Sequence, residues 1–147
     1  MAIRVAINGF GRIGRYFTRM AMENNEIEIV AINDLTDTAT LAHLFKYDSV
    51  HRRFNGTVET ETNRMIINGH GIAMLTQRDP KLLPWADLDI DVVLESTGIF
   101  RTKDLASLHV EAGAERVVLS APPRSEGIKS VVLGVNREIL NGDEKII

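Results

Sequence analysis

The chain has no cysteine in its 147 residues, which removes disulfides, thiolate metal ligands and a cysteine nucleophile from its own chemistry. It has no surplus of positive charge either: 17 Lys and Arg face 20 Asp and Glu, for a net charge of −3, and no basic run stands out. Nucleic acid, which needs a concentrated cationic footprint, is therefore not an expected partner. No apolar stretch approaches the ~20 residues of a membrane span, and the N-terminus reads as a strand that carries chemistry rather than a cleavable signal. A cytoplasmic protein with no membrane partner is expected. The four histidines, His43, His51, His70 and His109, stand at unrelated spacings with no Ser or Asp arranged beside them as a triad. Packing or surface roles are expected for them, and no metal centre. Internal repeats and low-complexity segments are missing too. What remains, 44% hydrophobic and 25% charged residues, is the composition of an ordinary globular protein of one domain, spanning 1–147.

The stretch that organises the chain lies at its start. An apolar strand, Ile3-Arg4-Val5-Ala6-Ile7, runs into Asn8-Gly9-Phe10-Gly11-Arg12-Ile13-Gly14-Arg15 and then into a helical pattern whose apolar face reads as Ile13, Phe17, Met20 and Ala21. The glycines have the spacing GxGxxG, and each has a task. Gly9 allows the tight strand-to-helix turn, Gly11 lets a pyrophosphate approach the backbone, and Gly14 brings the helix close to the strand. Free N–H groups and the positive end of the helix dipole then face an anion. A second strand, Ile27-Glu28-Ile29-Val30-Ala31-Ile32, ends in Asn33-Asp34. Asp34 follows Gly14 by 20 residues, the distance at which an acid at the second strand's tip reaches the adenosine ribose hydroxyls of a dinucleotide. That carboxylate also selects between cofactors. At an effective dielectric of about 20, a 2′-phosphate ~4 Å away would be repelled by about 4 kcal/mol, so NAD is expected over NADP. Asp37 adds to the negative charge, and no arginine follows Asp34 immediately to offset it.

Further along, Thr38 is a candidate N-cap for a helix over Ala39 to Lys46, and Tyr47 to Gly56 reads as a loop. Thr57-Val58-Glu59-Thr60 and Met65-Ile66-Ile67 read as short strands, and Asn68-Gly69-His70-Gly71 as a hairpin turn into Ile72-Ala73-Met74-Leu75. This is an antiparallel insert. The parallel pattern resumes at Asp91-Val92-Val93-Leu94-Glu95, which ends in Ser96-Thr97-Gly98. A helix capped by Thr102 follows over Lys103 to Ala112, with Leu105 and Leu108 inward and Gly113 as its stop. Two more strands are expected, Arg116 to Ser120 and Val131 to Val135, with the loop Ala121 to Gly127 between them. Glu144-Lys145-Ile146-Ile147 reads as the start of another strand, and a chain that stops inside an apolar run reads as a piece of a longer one. Alternating strands and helices predict an α/β fold: a Rossmann-type, doubly wound, mostly parallel sheet with a short antiparallel insert, binding its ligand at the carboxyl ends of the strands.

With Asn8-Gly9-Phe10-Gly11-Arg12-Ile13-Gly14-Arg15 at its head, the chain resembles the phosphorylating glyceraldehyde-3-phosphate dehydrogenase family. Ala31-Ile32-Asn33-Asp34, Lys46-Tyr47-Asp48-Ser49-Val50-His51, Arg78-Asp79-Pro80, Glu95-Ser96-Thr97-Gly98, Ser120-Ala121-Pro122 and Gly134-Val135-Asn136 agree with that family in order and spacing. The resemblance covers the whole chain and implies the N-terminal, NAD-binding portion. It implies that Arg12 and Ile13 offer backbone N–H groups to the pyrophosphate, with the Ile13 side chain against the nicotinamide. Asp34 would take the adenosine ribose, Arg78 would lie along the adenine, and Thr97, Gly98 and Phe100 would line the adenine and ribose region. Ser120 would point toward the nicotinamide end, and Asp48 and His51 would lie near subunit contacts.

The family's chemistry uses a cysteine thiolate to attack the aldehyde, a histidine to activate it, and hydride transfer to NAD. The resemblance places that cysteine directly after Ile147, followed by a catalytic domain, in a homotetrameric enzyme. No catalytic residue is therefore assigned within this chain. Two other readings share the same sequence features: the cofactor domain of an erythrose-4-phosphate dehydrogenase, and a nucleotide-binding module without turnover.

Overall fold

Strand β1, Ile3–Asn8, lies inside the sheet because its residues are apolar on both faces. Val5 and Ile7 point into the larger of two cores, with Phe10, Ile29, Ile32, Phe45 and Ile72. Ala6 points the opposite way into the smaller one, with Ala31, Trp85, Ile90 and Val93. The computed structural model describes all 147 residues. After β1 come α1 (Arg12–Ala21), β2 (Ile27–Asn33), α2 (Thr38–Lys46) and a two-stranded ribbon, β3 (Tyr47–Asp48) with β4 (Arg52–Arg53). Strands β5 (Val58–Glu61), β6 (Arg64–Ile67) and β7 (His70–Leu75) form an antiparallel meander, followed by a short 3₁₀ turn at Pro80–Leu82. Strand β8 (Val92–Glu95), helix α3 (Lys103–Glu111), strand β9 (Arg116–Leu119) and a 3₁₀ turn at Arg137–Ile139 complete the order.

The main sheet has seven strands in the order β5-β6-β7-β2-β1-β8-β9. From β7 to β9 every pairing is parallel, so the expected doubly wound sheet is present, and the meander extends its edge as the expected insert. The Asn68-Gly69 turn into β7 has φ of +52° and +80°, the left-handed pair that a tight hairpin requires.

Several expectations are corrected in detail. On α1 the buried row is Gly14, Thr18 and Ala21, while Ile13 and Met20 are more than half exposed. Gly14 presses so closely on β1 that the helix turns about one residue from the face its apolar side chains predict. On α3 the buried residues are Ala106 and His109, and Leu105 is exposed, because His109 is drawn in by hydrogen bonds to Trp85 and Glu95. The cap of α2 is Asp37, whose carboxylate accepts the Thr40 N–H, and Thr38 is the first helical residue. The segment 47–56 contains the β3–β4 ribbon, which turns on Asp48: its carboxylate accepts the Val50 and His51 N–H groups at 2.8 Å and is held at a pKa of about 2, chiefly by these bonds.

The strand expected over Val131 to Val135 does not form. Its residues fold into a turn in which Asn136 takes the Val132 N–H with its Oδ1 and donates to the Ser130 carbonyl, leaving Leu133 81% exposed. The edge beside β9 belongs to the last residues instead. Val117 donates to Lys145 O and Leu119 to Ile147 O, an isolated parallel bridge between Val117 and Ile146, so the last residues begin to pair with the sheet where a strand over 144–147 is expected.

The segment leading to that bridge is tied by Glu144, which accepts from Lys129 Nζ at 2.5 Å and from the Asn141 and Gly142 amides. The lysine contact, then the amides, hold its pKa at about 2 against an ordinary 4.5. A depressed carboxylate stabilises the fold above its unfolded pKa and loses that contribution as pH falls through its folded one. Between pH 5 and pH 2 the wild-type chain is expected to lose stability more steeply than Glu144→Gln, measured as the shift of the urea midpoint at each pH; parallel profiles would remove Glu144 from the acid response.

Candidate functional site

Because the chain leaves β1 for β2 on one side and returns to place β8 on the other, the loops after these strands diverge at their carboxyl ends. Such a switch point opens a crevice that no side chain of the sheet fills. A cleft of about 500 Å³ occupies it, large enough for a sizeable part of a dinucleotide. Its walls come from four loops. Asn8, Gly9 and Gly11 lie at and after the end of β1; Asn33, Asp34 and Leu35 at and after the end of β2; Gln77 and Arg78 follow β7; and Ser96, Thr97, Ile99 and Phe100 follow β8.

The three glycines differ in what holds them. Gly9 has φ +93°, and a methyl group there would stand 2.7 Å from the Thr97 backbone nitrogen. A methyl on Gly14 would stand 2.5 Å from the Gly9 carbonyl oxygen and 3.0 Å from Ile7 Cγ2, so helix and strand touch through this residue. Gly11 is the contrast: a methyl there would meet nothing within 4 Å. Its freedom from neighbours leaves the backbone open on the cleft side. Gly11 is also the N-cap of α1 and offers no side chain to the helix's first N–H groups, and the first turn holds no acid. Helices α2 and α3 are capped by Asp37 and Thr102. At α1 alone the amides and the dipole end stay available, with Arg12 beside them.

Asp34 stands across the cleft, half-buried. Its Oδ2 accepts the Phe10 N–H at 2.8 Å and its Oδ1 the Thr36 N–H at 2.9 Å, which fixes the carboxylate while each oxygen keeps a second lone pair. Beneath it runs a buried polar array. Gln77 N donates to Asn33 Oδ1, Asn33 Nδ2 donates to Asn8 Oδ1 at 2.7 Å, and Asn8 Nδ2 donates to Glu95 Oε2 at 2.6 Å. These bonds link the tips of β2, β1 and β8, so the cleft floor is set by the sheet rather than by the loops above it.

Of the residues singled out by sequence, Gly9, Gly11, Asp34, Arg78, Thr97 and Phe100 meet in this cleft. Gly14 lies behind it as packing. Arg12 and Ile13 stand exposed on the first turn of α1, and Gly98, at φ +75°, shapes the turn after β8 without lining the cleft. Ser120 does not join them; it borders a second hollow of about 300 Å³ at the end of β9, with Val118, Pro122 and Ile147. Asn8, Asn33, Leu35, Gln77, Ser96 and Ile99 line the cleft and are not assigned by sequence. Asn33 had a readable signal, since a polar residue at the end of an apolar strand must find partners. Gln77 had none, because it arrives from the antiparallel meander.

The comparisons with known proteins agree with this geometry. The family model described as glyceraldehyde 3-phosphate dehydrogenase, NAD binding domain, matches residues 3–103. Glyceraldehyde-3-phosphate dehydrogenase of Thermotoga maritima is 53% identical over 146 residues, 98% of this chain and 44% of the relative. The enzyme of that name from Mycoplasma pneumoniae is 51% identical over 99% of this chain and 43% of its own, and that from Geobacillus stearothermophilus 50% over 94% and 41%. The chain thus spans less than half the length of the curated relatives it matches. Fold, cleft and similarity converge on one assignment: the chain belongs to the glyceraldehyde 3-phosphate dehydrogenase family and carries its NAD-binding domain.

Proposed function

We propose that NAD lies across the cleft with its adenosine ribose on Asp34, its adenine between Arg78 and the Thr97–Phe100 turn, and its pyrophosphate against the backbone of Gly11, Arg12 and Ile13. The observation that carries this reading is the uncapped N-terminus of α1 beside a glycine with open space above it. An anion there meets unpaired amides, a dipole end and Arg12, and no carboxylate of the helix's first turn. Gly98 gives the turn its left-handed corner. The Ile13 side chain and Ser120 stand toward the nicotinamide half, the part of the cofactor that extends beyond the cleft. Bound NAD supplies a hydride acceptor; the residues of this chain bind it, orient it and reject a 2′-phosphate.

The name these relatives share supports a wider proposal. The parent protein oxidises glyceraldehyde 3-phosphate with phosphate and NAD to 1,3-bisphosphoglycerate and NADH. It works as a homotetramer in the cytoplasm, with its thiolate nucleophile and catalytic domain outside these 147 residues. The chain by itself, a single domain without cysteine, binds cofactor without turnover. Relatives named for glyceraldehyde 3-phosphate favour this over the erythrose 4-phosphate reading.

Calorimetric titration of the chain with NAD and with NADP tests the site. Binding of NAD, with NADP weaker by about tenfold or more, is expected from the charge on Asp34. Heat from neither nucleotide at millimolar concentration would overturn the claim that these residues alone complete a site.

A further inference from the structure

We propose that Glu95 is a positioning residue for the cofactor cleft, its buried carboxylate fixing the turn after β8 through Thr97 and the cleft floor through Asn8. The inference rests on the cofactor reading above and goes beyond it, because Glu95 is only 2% exposed and is not part of the cleft wall.

Four donors converge on this one side chain. Its Oε1 accepts the Thr97 N–H at 2.9 Å and the Thr97 hydroxyl at 2.5 Å. Its Oε2 accepts Asn8 Nδ2 at 2.6 Å and His109 Nε2 at 2.8 Å. The direction of the last bond follows from Trp85. An indole N–H can only donate, and it lies 3.0 Å from His109 Nδ1, so Nδ1 is the acceptor and the ring's proton sits on Nε2, facing Glu95. Trp85 and His109 are fully buried, and water cannot take their place. The array therefore has a donor-only group at one end and an acceptor-only group where four donors meet, and its polarity is fixed.

A neutral isostere of the same shape cannot serve all four. With its carbonyl toward Asn8 and His109, a glutamine keeps the fully buried half satisfied but presents NH₂ to the Thr97 N–H. Turned over, it opposes the Asn8 amide and pushes His109 out of the tautomer Trp85 requires. The first arrangement costs less, because Thr97 is partly open to water. It releases the turn. Thr97 Oγ1 also accepts the Ile99 N–H at 3.1 Å, so the internal bonding of 96–99 runs through Thr97, and Thr97 is anchored through Glu95. A carboxylate beneath the wall thus holds the wall itself. Its effect on cofactor is through the position of Thr97 and Phe100, with no contact of its own.

The test compares wild type with Glu95→Gln in this same chain by residue-resolved hydrogen exchange and by calorimetric titration with NAD. Exchange in Glu95→Gln is expected to accelerate about tenfold or more at Thr97 and Ile99 while amides of β1 and β2 stay within about twofold, and NAD binding to weaken about tenfold. A purely global loss of stability would raise exchange everywhere and leave no local signature. Unchanged exchange at 97–99 with unchanged NAD affinity overturns the positioning role and leaves the cofactor reading intact; a wild-type chain that binds no NAD overturns both. Should Glu95→Gln fail to fold, wild type carries the test: the Thr97 amide is expected to exchange about tenfold more slowly than that of Gly98, its neighbour. Equal rates would overturn the proposal.

Discussion

Replacement of Asp34 by asparagine is expected to weaken NAD binding by about tenfold or more and to remove most of the discrimination against NADP. Hydrogen bonds to a charged acceptor contribute roughly 1.5–3 kcal/mol, and a decade of affinity corresponds to about 1.4 kcal/mol. The neutral amide retains one acceptor oxygen, donates with its other end, and carries no charge to repel a 2′-phosphate. Asparagine is the informative substitution because Asp34 also has a structural task. Its Oδ2 accepts the N–H of Phe10, a residue with no exposure, and its Oδ1 the Thr36 N–H in an exposed loop. An amide oxygen turned toward Phe10 preserves the buried bond and gives up the exposed one, so the thermal midpoint should move by only a few degrees while the ratio of NAD to NADP affinity collapses. An unchanged ratio would mean that Asp34 only anchors the turn and that specificity resides elsewhere in the cleft. Alanine could not separate these outcomes, because it strips the Phe10 amide as well.

Why Asp34 could be read from sequence, and other parts of the site could not, follows from where the information is held. The glycine spacing, the apolar strands on either side of it and an acid 20 residues on are local features, and together they specify β1, α1, β2 and the tip of β2. Residues that reach the cleft by tertiary folding left weaker marks. Gln77 stands in the wall because β7 pairs parallel with β2 after an antiparallel excursion, and periodicity does not tell which edge a meander will join. Glu95 ends an apolar strand, which signals a turn, but its task depends on His109 and Trp85, 14 and 10 residues away along the chain, meeting under the opposite face of the sheet.

The errors have physical causes as well. Val131 to Val135 has the composition of a strand, yet β9 already pairs with 145–147 on its free edge. Asn136, by bonding to residues 130 and 132, offers that stretch a turn instead. On α1 the apolar side chains predict the contact face, whereas the close approach is made by Gly14, which has no side chain. Patterns of hydrophobicity report what is buried on average; they do not report which small residue sets the distance between two elements.

Gly9→Ala is expected to lower stability by about 3 kcal/mol or more, read as a lowered urea midpoint at 25 °C. Two costs combine. At φ +93° an L side chain is strained by its own backbone. Its methyl would also lie 2.7 Å from Thr97 N and 2.9 Å from Ser96 C, backbone atoms held by the bond from Ser96 N to Asn8 O. Neither strand tip can retreat without breaking the β1–β8 pairing, so the added atom is not accommodated by a rotamer change. Gly11→Ala separates this structural cost from function. Gly11 has an extended backbone, φ −77° and ψ −159°, with nothing within 4 Å of the added methyl, so its urea midpoint should match that of wild type. Its NAD affinity should nonetheless fall, since the methyl occupies the space through which a pyrophosphate would approach the α1 amides. If Gly9→Ala unfolds at the wild-type midpoint, the close approach of the two strand tips is wrong. If Gly11→Ala binds NAD as tightly as wild type, the phosphates do not pass over Gly11, and the cofactor enters the cleft from another side.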